Sequence, residues 1–140
     1  MIVYFDSSAL VKLVVQEEGT ELVATLWDAC DAPFSSRLAY PEVRAALAAA
    51  GRAHRLGRRD RDLAERAFED YWAVTQRVEL SEAVTAHAGD LAGRYGLRGA
   101  DAVHLASVFA VGLQNTVFAV WDKTLRAGAH AAGVRLAPAA

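Results

Sequence analysis

The chain opens on Ile2-Val3-Tyr4-Phe5, four apolar residues of β-branched and aromatic type, and ends that run on Asp6 before the spacing turns helical. A short run that is apolar at every position is buried on both faces, as in the interior of a parallel sheet. From Ser7 onward, Leu10, Val11, Val14 and Val15 recur at helical spacing until Gln16, Glu17 and Glu18 lead into Gly19. This strand-then-helix grammar recurs along the chain. A second helix is expected over about 20–30, with Leu22, Val23, Leu26 and Trp27 on one face, and Pro33 starts a short second strand. Residues 36–50 read as a helix with Leu38, Val43 and Leu47 on its buried side; Pro41 must sit near its start or kink it, and Gly51 is a stop. The segment 58–76 is amphipathic, with Leu63, Ala67, Tyr71 and Val74 on one stripe among ionic neighbours. Val78-Glu79-Leu80 gives a brief strand, Ser81 caps a helix reaching Tyr95, and Gly96 breaks it. A helix over about 100–111, a strand over 116–120, a helix over 123–131 and a last strand over 134–136 complete the pattern.

Strands alternating with helices through short loops predict an α/β fold, a parallel sheet of about five strands with helices on both faces. The length of 140 residues suits a single domain, 1–140, and 54% hydrophobic content is enough for its core. A lone Cys30 forms no internal disulfide and no Cys/His pair has zinc-ligand spacing, which points to a reducing, cytoplasmic setting. The longest greasy runs, such as 105–113, fall far short of the roughly 20 residues that span a bilayer, so no membrane helix is expected. Met1 leads straight into the first strand, without the basic and apolar regions of a cleavable leader.

In an open parallel sheet, ligands bind beyond the carboxyl ends of the strands. Asp6 follows the first strand and Asp122 follows the strand over 116–120, so both face that edge. If those strands are neighbours where strand order reverses, the two carboxylates come within reach of one metal ion. Glu42 and Asp101 stand in the early turns of two predicted helices. Taken singly, each of the four acids is better explained as a helix cap or a partner of the helix dipole.

The joint pattern goes further. The chain reads Asp6-Ser7-Ser8-Ala9-Leu10, then Pro41-Glu42-Val43, then Gly99-Ala100-Asp101-Ala102-Val103-His104-Leu105-Ala106, then Val120-Trp121-Asp122-Lys123. In order, spacing and total length it resembles the PIN-domain ribonucleases and, within them, the VapC toxins of bacterial toxin–antitoxin pairs. The resemblance covers the whole chain. It implies a metal-dependent endoribonuclease whose catalytic and metal-holding residues are Asp6, Glu42, Asp101 and Asp122, with Mg2+ or Mn2+ as cofactor and Ser8 in a supporting role. It also implies a VapB-type antitoxin that inhibits the enzyme from across the early helices, a homodimer, and RNA as substrate.

Carboxylates around an open hard cation leave room for a substrate phosphate and an attacking water. In-line attack by that water leaves a 5′-phosphate and a 3′-hydroxyl, with Asp6 as the candidate base. The net charge of −2 argues against holding RNA by bulk electrostatics, but removing the four site acids from 17 leaves 13 against 15 basic residues. The 13 arginines against 2 lysines, with 30 alanines, also fit the imprint of a GC-rich genome. Positive charge concentrates at Arg52, Arg55, Arg58 and Arg59, with His54 and Arg61 among them, and guanidinium forks suit phosphate; a solvated turn between helices explains the same cluster.

Two details depart from or exceed the resemblance. Val120 stands where the family often has Thr or Ser, which removes a hydroxyl from the metal's surroundings. His104 lies three residues after Asp101 on one helical face, where the resemblance assigns no ligand and a buried, hydrogen-bonded histidine is expected. Lys123 is open between a phosphate contact and a helix-end role. A haloacid-dehalogenase phosphatase needs a second acid where Ser8 stands, and a receiver domain needs an acid where Ser35-Ser36 stands. The remaining alternative is a catalytically inactive PIN-fold module that binds RNA or protein.

Overall fold

Ile2–Phe5 forms the central strand, β1, of a five-stranded parallel sheet in the computed structural model, which describes residues 1–139. It is followed by α1 (Ser7–Val14), α2 (Thr20–Ala29), β2 (Ala32–Ser36), α3 (Ala39–Arg52), α4 (Arg58–Val74) and β3 (Gln76–Val78). The second half contributes α5 (Glu82–Tyr95), α6 (Gly99–Val111), β4 (Thr116–Ala119), α7 (Lys123–Ala131) and β5 (Leu136–Ala137). The strand order is β3-β2-β1-β4-β5. From β1 the chain builds outward on one side, then returns to build on the other, so the order reverses between β1 and β4.

The alternation of β1 explains why helices cover both faces. Val3 and Phe5 point into a core shared with Leu10 of α1, Val23 of α2, Val43 and Leu47 of α3, and Phe68 and Trp72 of α4. Tyr4 points the opposite way, into a core with Leu91 of α5, Leu105 and Val108 of α6, Phe118 of β4 and Leu125 of α7. Val3, Tyr4 and Phe5 are fully buried, which fits a strand that is apolar throughout. Burying each such side chain is worth about 1.5–3 kcal/mol relative to exposure. No helix among the described residues is long and apolar enough to cross a membrane.

Several expected boundaries shift, each for a physical reason. β2 begins one residue before Pro33, and Pro33 is tolerated there because β3 joins only from Phe34 onward, so at Pro33 the strand is paired on the β1 side alone. The helix expected over 36–50 starts at Ala39, because Ser36 still belongs to β2 and its hydroxyl accepts from the Leu38 N–H at 3.1 Å. Pro41 sits in the first turn of α3, and Gly51 lies inside that helix rather than ending it. The third strand is Gln76–Val78 instead of 78–80; as an edge strand its outer positions are exposed, so it lacks an apolar run. The last strand is Leu136–Ala137 instead of 134–136, because the Val134 N–H still donates to the Ala129 carbonyl at 3.0 Å. The buried stripe of α4 is Ala64, Phe68 and Trp72, one residue on from the expected Leu63, Ala67, Tyr71 and Val74; Leu63 and Val74 are exposed.

Candidate active site

β1 and β4 end level with one another, with Phe5 opposite Ala119, and the Asp6 N–H donates to the Ala119 carbonyl at 3.2 Å. Asp6 and Asp122 therefore stand beyond the carboxyl ends of two adjacent strands, at the point where strand order reverses. Both cap the helix that follows. Asp6 Oδ1 accepts from the Ala9 N–H at 2.8 Å and from the Ser8 hydroxyl at 2.9 Å, and Asp122 Oδ1 accepts from the Leu125 N–H at 2.9 Å. The second oxygen of Asp6 has no hydrogen-bond partner among the described residues, yet it is not sealed from solvent.

Glu42 enters from the first turn of α3, on the sheet face opposite α6. Its Oε1 accepts from the Ser7 hydroxyl at 2.5 Å and from His104 Nε2 at 2.7 Å. His104 also lies 3.2 Å from the Ser7 hydroxyl, and its Nδ1 lies 2.9 Å from the Tyr4 hydroxyl. His104 and Tyr4 are buried while Glu42 is half-buried, so the chain of contacts runs from the core to the site's edge. Asp101, in the first turn of α6, accepts from Arg98 Nε at 3.3 Å, and the same guanidinium reaches Asp122 at 3.9 Å. The Arg98 side chain is 82% exposed, so this bridge is worth little in free energy.

Desolvation raises the Asp6 carboxyl above its ordinary value; the charge of His104 and the bonds from Ala9 and Ser8 oppose this, and the charge of Glu42 adds to it. Desolvation also pushes Glu42 up, but the hydrogen bonds from His104 and Ser7 and the charge of His104 outweigh it and leave Glu42 below its ordinary value. Asp6 is thus a buried acid with no cationic side chain bonded to it. Among the described residues, no three His, Cys, Asp or Glu side chains converge closely enough to hold a metal ion as they stand. Asp101 and Asp122 lean on Arg98 while Glu42 leans on His104 and Ser7. The donor set itself, carboxylates and hydroxyls with a desolvated Asp6 at its centre, fits a hard divalent cation.

Asp6, Glu42, Asp101 and Asp122 all rise at one edge of the sheet. The Ser8 hydroxyl donates to Asp6. Ser7 was missed, and it is the hydroxyl that bonds Glu42; as successive residues at the start of α1, Ser7 and Ser8 point in different directions around the helix. His104 is buried and hydrogen-bonded as expected, but to a site acid. Val120 is fully buried in the core beside α5–α7. Lys123 is exposed at the start of α7. The structure does not bring Arg52, Arg55, Arg58 and Arg59 to the acids. Arg52 lies ten residues along α3 from Glu42, about 15 Å of helix axis. All four are exposed, and Arg58 lines a cleft of about 450 Å³ with His54, Asp62 and an Arg61–Glu65 pair at 3.0 Å.

Residues 3–120 match the model of the PIN domain. Two relatives, Ribonuclease VapC49 and Ribonuclease VapC45 of two Mycobacterium tuberculosis strains, are each 61% identical over 138 residues, covering 99% of this chain and 96% of theirs. Among solved structures, PAE2754 from Pyrobaculum aerophilum superposes with a TM-score of 0.70 at 20% identity, covering 97% of this chain and 83% of its own. VapC20 of Mycobacterium tuberculosis, described as a sarcin-ricin loop cleaving toxin, gives 0.66 at 18% identity, with 89% and 93% covered. A toxin–antitoxin complex from Klebsiella pneumoniae gives 0.61 at 17% identity, with 86% of each chain covered. These likenesses, the parallel sheet and the four acids at its carboxyl edge together establish that the chain belongs to the PIN-domain family and, within it, to the VapC ribonucleases.

Proposed function

We propose that the protein is a Mg2+- or Mn2+-dependent endoribonuclease toxin that hydrolyses RNA phosphodiester bonds in the cytoplasm and is inhibited by a VapB-type antitoxin. The observation that carries this is Asp6: a desolvated carboxylate at the end of the central strand, with one oxygen spent on a cap, the other open, and Asp122 beyond the neighbouring strand. A divalent cation bound there supplies charge neutralisation at a substrate phosphate and acidifies a water. Asp6, Glu42, Asp101 and Asp122 would hold it, the Ser8 hydroxyl would steady Asp6 by its hydrogen bond, and Asp6 would accept a proton from the attacking water. The products are a 5′-phosphate and a 3′-hydroxyl.

Arg52, Arg55, Arg58 and Arg59, from the end of α3 to the start of α4, extend the reading as a track for the RNA backbone remote from Glu42. On α1 and α2, Val11, Val14, Leu22, Leu26 and Trp27 are only partly buried, which suits an apolar partner helix of the antitoxin. In a homodimer, two such surfaces and two acidic edges would share one RNA.

The deciding experiment is end-labelled cleavage of total cellular RNA by antitoxin-free protein with Mg2+ or Mn2+, with chelator, and with Asp6→Asn and Asp101→Asn. Discrete 5′-phosphate fragments that vanish with chelator and in both variants are the expected result. A wild type that binds RNA but cuts nothing, or the same fragments from all three proteins, would overturn it in favour of the inactive binding module that Val120 brings to mind.

A further inference from the structure

We infer that His104 is a positioning residue for Glu42: anchored by the Tyr4 hydroxyl, it donates from Nε2 to Glu42 Oε1 and so decides which Glu42 oxygen is left to face the metal. The inference rests on the metal-dependent reading above.

The roles within the network follow from its partners. An ionised carboxylate can only accept, so the hydrogen between His104 and Glu42 sits on Nε2. The neighbouring Ser107 and Ser35 hydroxyls donate to the Val103 and Phe5 carbonyls, at 2.7 and 2.6 Å. The Tyr4 hydroxyl lies 2.9 Å from Nδ1 and holds the far side of the ring. The ring is also fixed by packing: Tyr4 meets it edge-on with centroids 5.9 Å apart, and Tyr4 in turn meets Phe118 edge-on at 5.4 Å. The network holds the Glu42 carboxylate by one oxygen, Oε1.

The geometry also explains why a histidine is needed at this place. Glu42 belongs to α3 and Asp101 to α6, helices on opposite faces of the sheet. His104 lies one turn after Asp101 on the same face of α6 and reaches past the strand ends to Glu42. One helix thus carries Asp101 directly and Glu42 by a bond. Ser7, from the first residue of α1, adds the second donor on the same oxygen. Groups that orient a metal's ligands in this way commonly change its affinity 10- to 100-fold when removed.

The test is Mn2+ binding by titration calorimetry without RNA, on wild type, His104→Ala, His104→Gln and Tyr4→Phe, each checked for folding by circular dichroism. Gln places an N–H donor near the position of Nε2. His104→Ala is expected to weaken Mn2+ binding by about 10- to 100-fold, His104→Gln to recover most of it, and Tyr4→Phe to lose about 5-fold, as for one hydrogen bond. With RNA, kcat at fixed Mn2+ falls in the same order while KM for RNA holds, which a general loss of packing would not produce. If His104→Ala fails to fold, His104→Gln and Tyr4→Phe still decide the matter. Wild-type affinity in every folded variant, or Gln as weak as Ala, overturns the inference alone. A wild type that binds no Mn2+, or cuts RNA in chelator, overturns the metal-dependent reading and this inference with it.

Discussion

Asp6 and Asp122 spend one carboxylate oxygen in the same way: each caps the helix that follows it, accepting from the N–H three residues on, at 2.8 and 2.9 Å. Capping occupies one oxygen of each, so it does not exclude the active-site role proposed above. Asparagine keeps the capping oxygen and removes the charge. Asp6→Asn and Asp122→Asn should leave the fold intact while RNA cleavage falls at least about 100-fold for Asp6→Asn, since a metal carboxylate is lost. Asp122→Ala should additionally cost about 1 kcal/mol of stability through the missing cap. Thermal unfolding and cleavage measured on the same preparations separate the two effects.

Metal-free stability should depend on pH through Asp6 and Glu42 with opposite signs. The Asp6 carboxyl is raised, so the folded state binds its proton more tightly than the unfolded chain does. Its stabilising contribution is complete below the ordinary value of 3.8 and is lost as pH climbs through the raised one. Glu42 is lowered, so its contribution is present above the ordinary value of 4.5 and is lost as pH falls through the lowered one. At neutral pH, Asp6→Asn should raise the melting temperature of the metal-free protein by a few degrees. Mn2+ should stabilise wild type there and do much less for the variant. Melting curves from pH 4 to 8 with and without Mn2+, on the order of a unit apart, would refute this if the two proteins ran parallel.

The displaced stripe on α4 makes a simple contrast. Phe68 is fully buried between Tyr40 and Trp72, with ring centroids 5.6 and 5.8 Å away, whereas Leu63 is half exposed. Phe68→Ala should cost about 3–5 kcal/mol, and Leu63→Ala should stay within about 0.5 kcal/mol. Urea unfolding of both variants checks the assignment.

Arg98 competes with any cation for Asp101 and Asp122. Arg98→Ala should lower the Mn2+ concentration for half-saturation by about 2- to 5-fold, in keeping with a bridge worth under roughly 1 kcal/mol. An unchanged or weaker Mn2+ titration would show that the bridge does not oppose metal binding.

The arginines at the far end of α3 should act on RNA and not on metal. Replacing Arg52, Arg55, Arg58 and Arg59 with Gln should weaken RNA binding and flatten its salt dependence by about 0.7 in log–log slope per lost phosphate contact, with Mn2+ affinity unaltered. Binding measured across a salt series decides whether the patch meets RNA or only water.

Much of this was readable in residue order because burial and chemistry agreed there. β1 is apolar at every position and is buried on both faces; Asp6 and Asp122 follow strands and lie at the edge where ligands collect. The misreadings fall where one physical signal masked another. β3 is an edge strand, so Gln76 and Arg77 hide it from any search for apolar runs. On α4, alanine is the buried residue and leucine the exposed one, because Ala64 permits close packing while Leu63 covers the rim; hydrophobicity alone ranks them the other way. Ser7 and Ser8 are chemically identical, and only their directions after the strand end separate the Glu42 donor from the Asp6 donor. The partnership of His104 with Glu42 spans 62 positions and both sheet faces, so no local spacing announces it.

The pairing of Ile2 with Thr116 carries a consequence for how the protein is made. One of the two neighbours of the middle strand, β1, lies more than a hundred residues further along the chain, and Asp122 further still. Contacts so distant along the chain form slowly and late. Residues 1–115 therefore carry three of the five strands and three of the four acids, and the set is complete only once β4 and Asp122 have joined it.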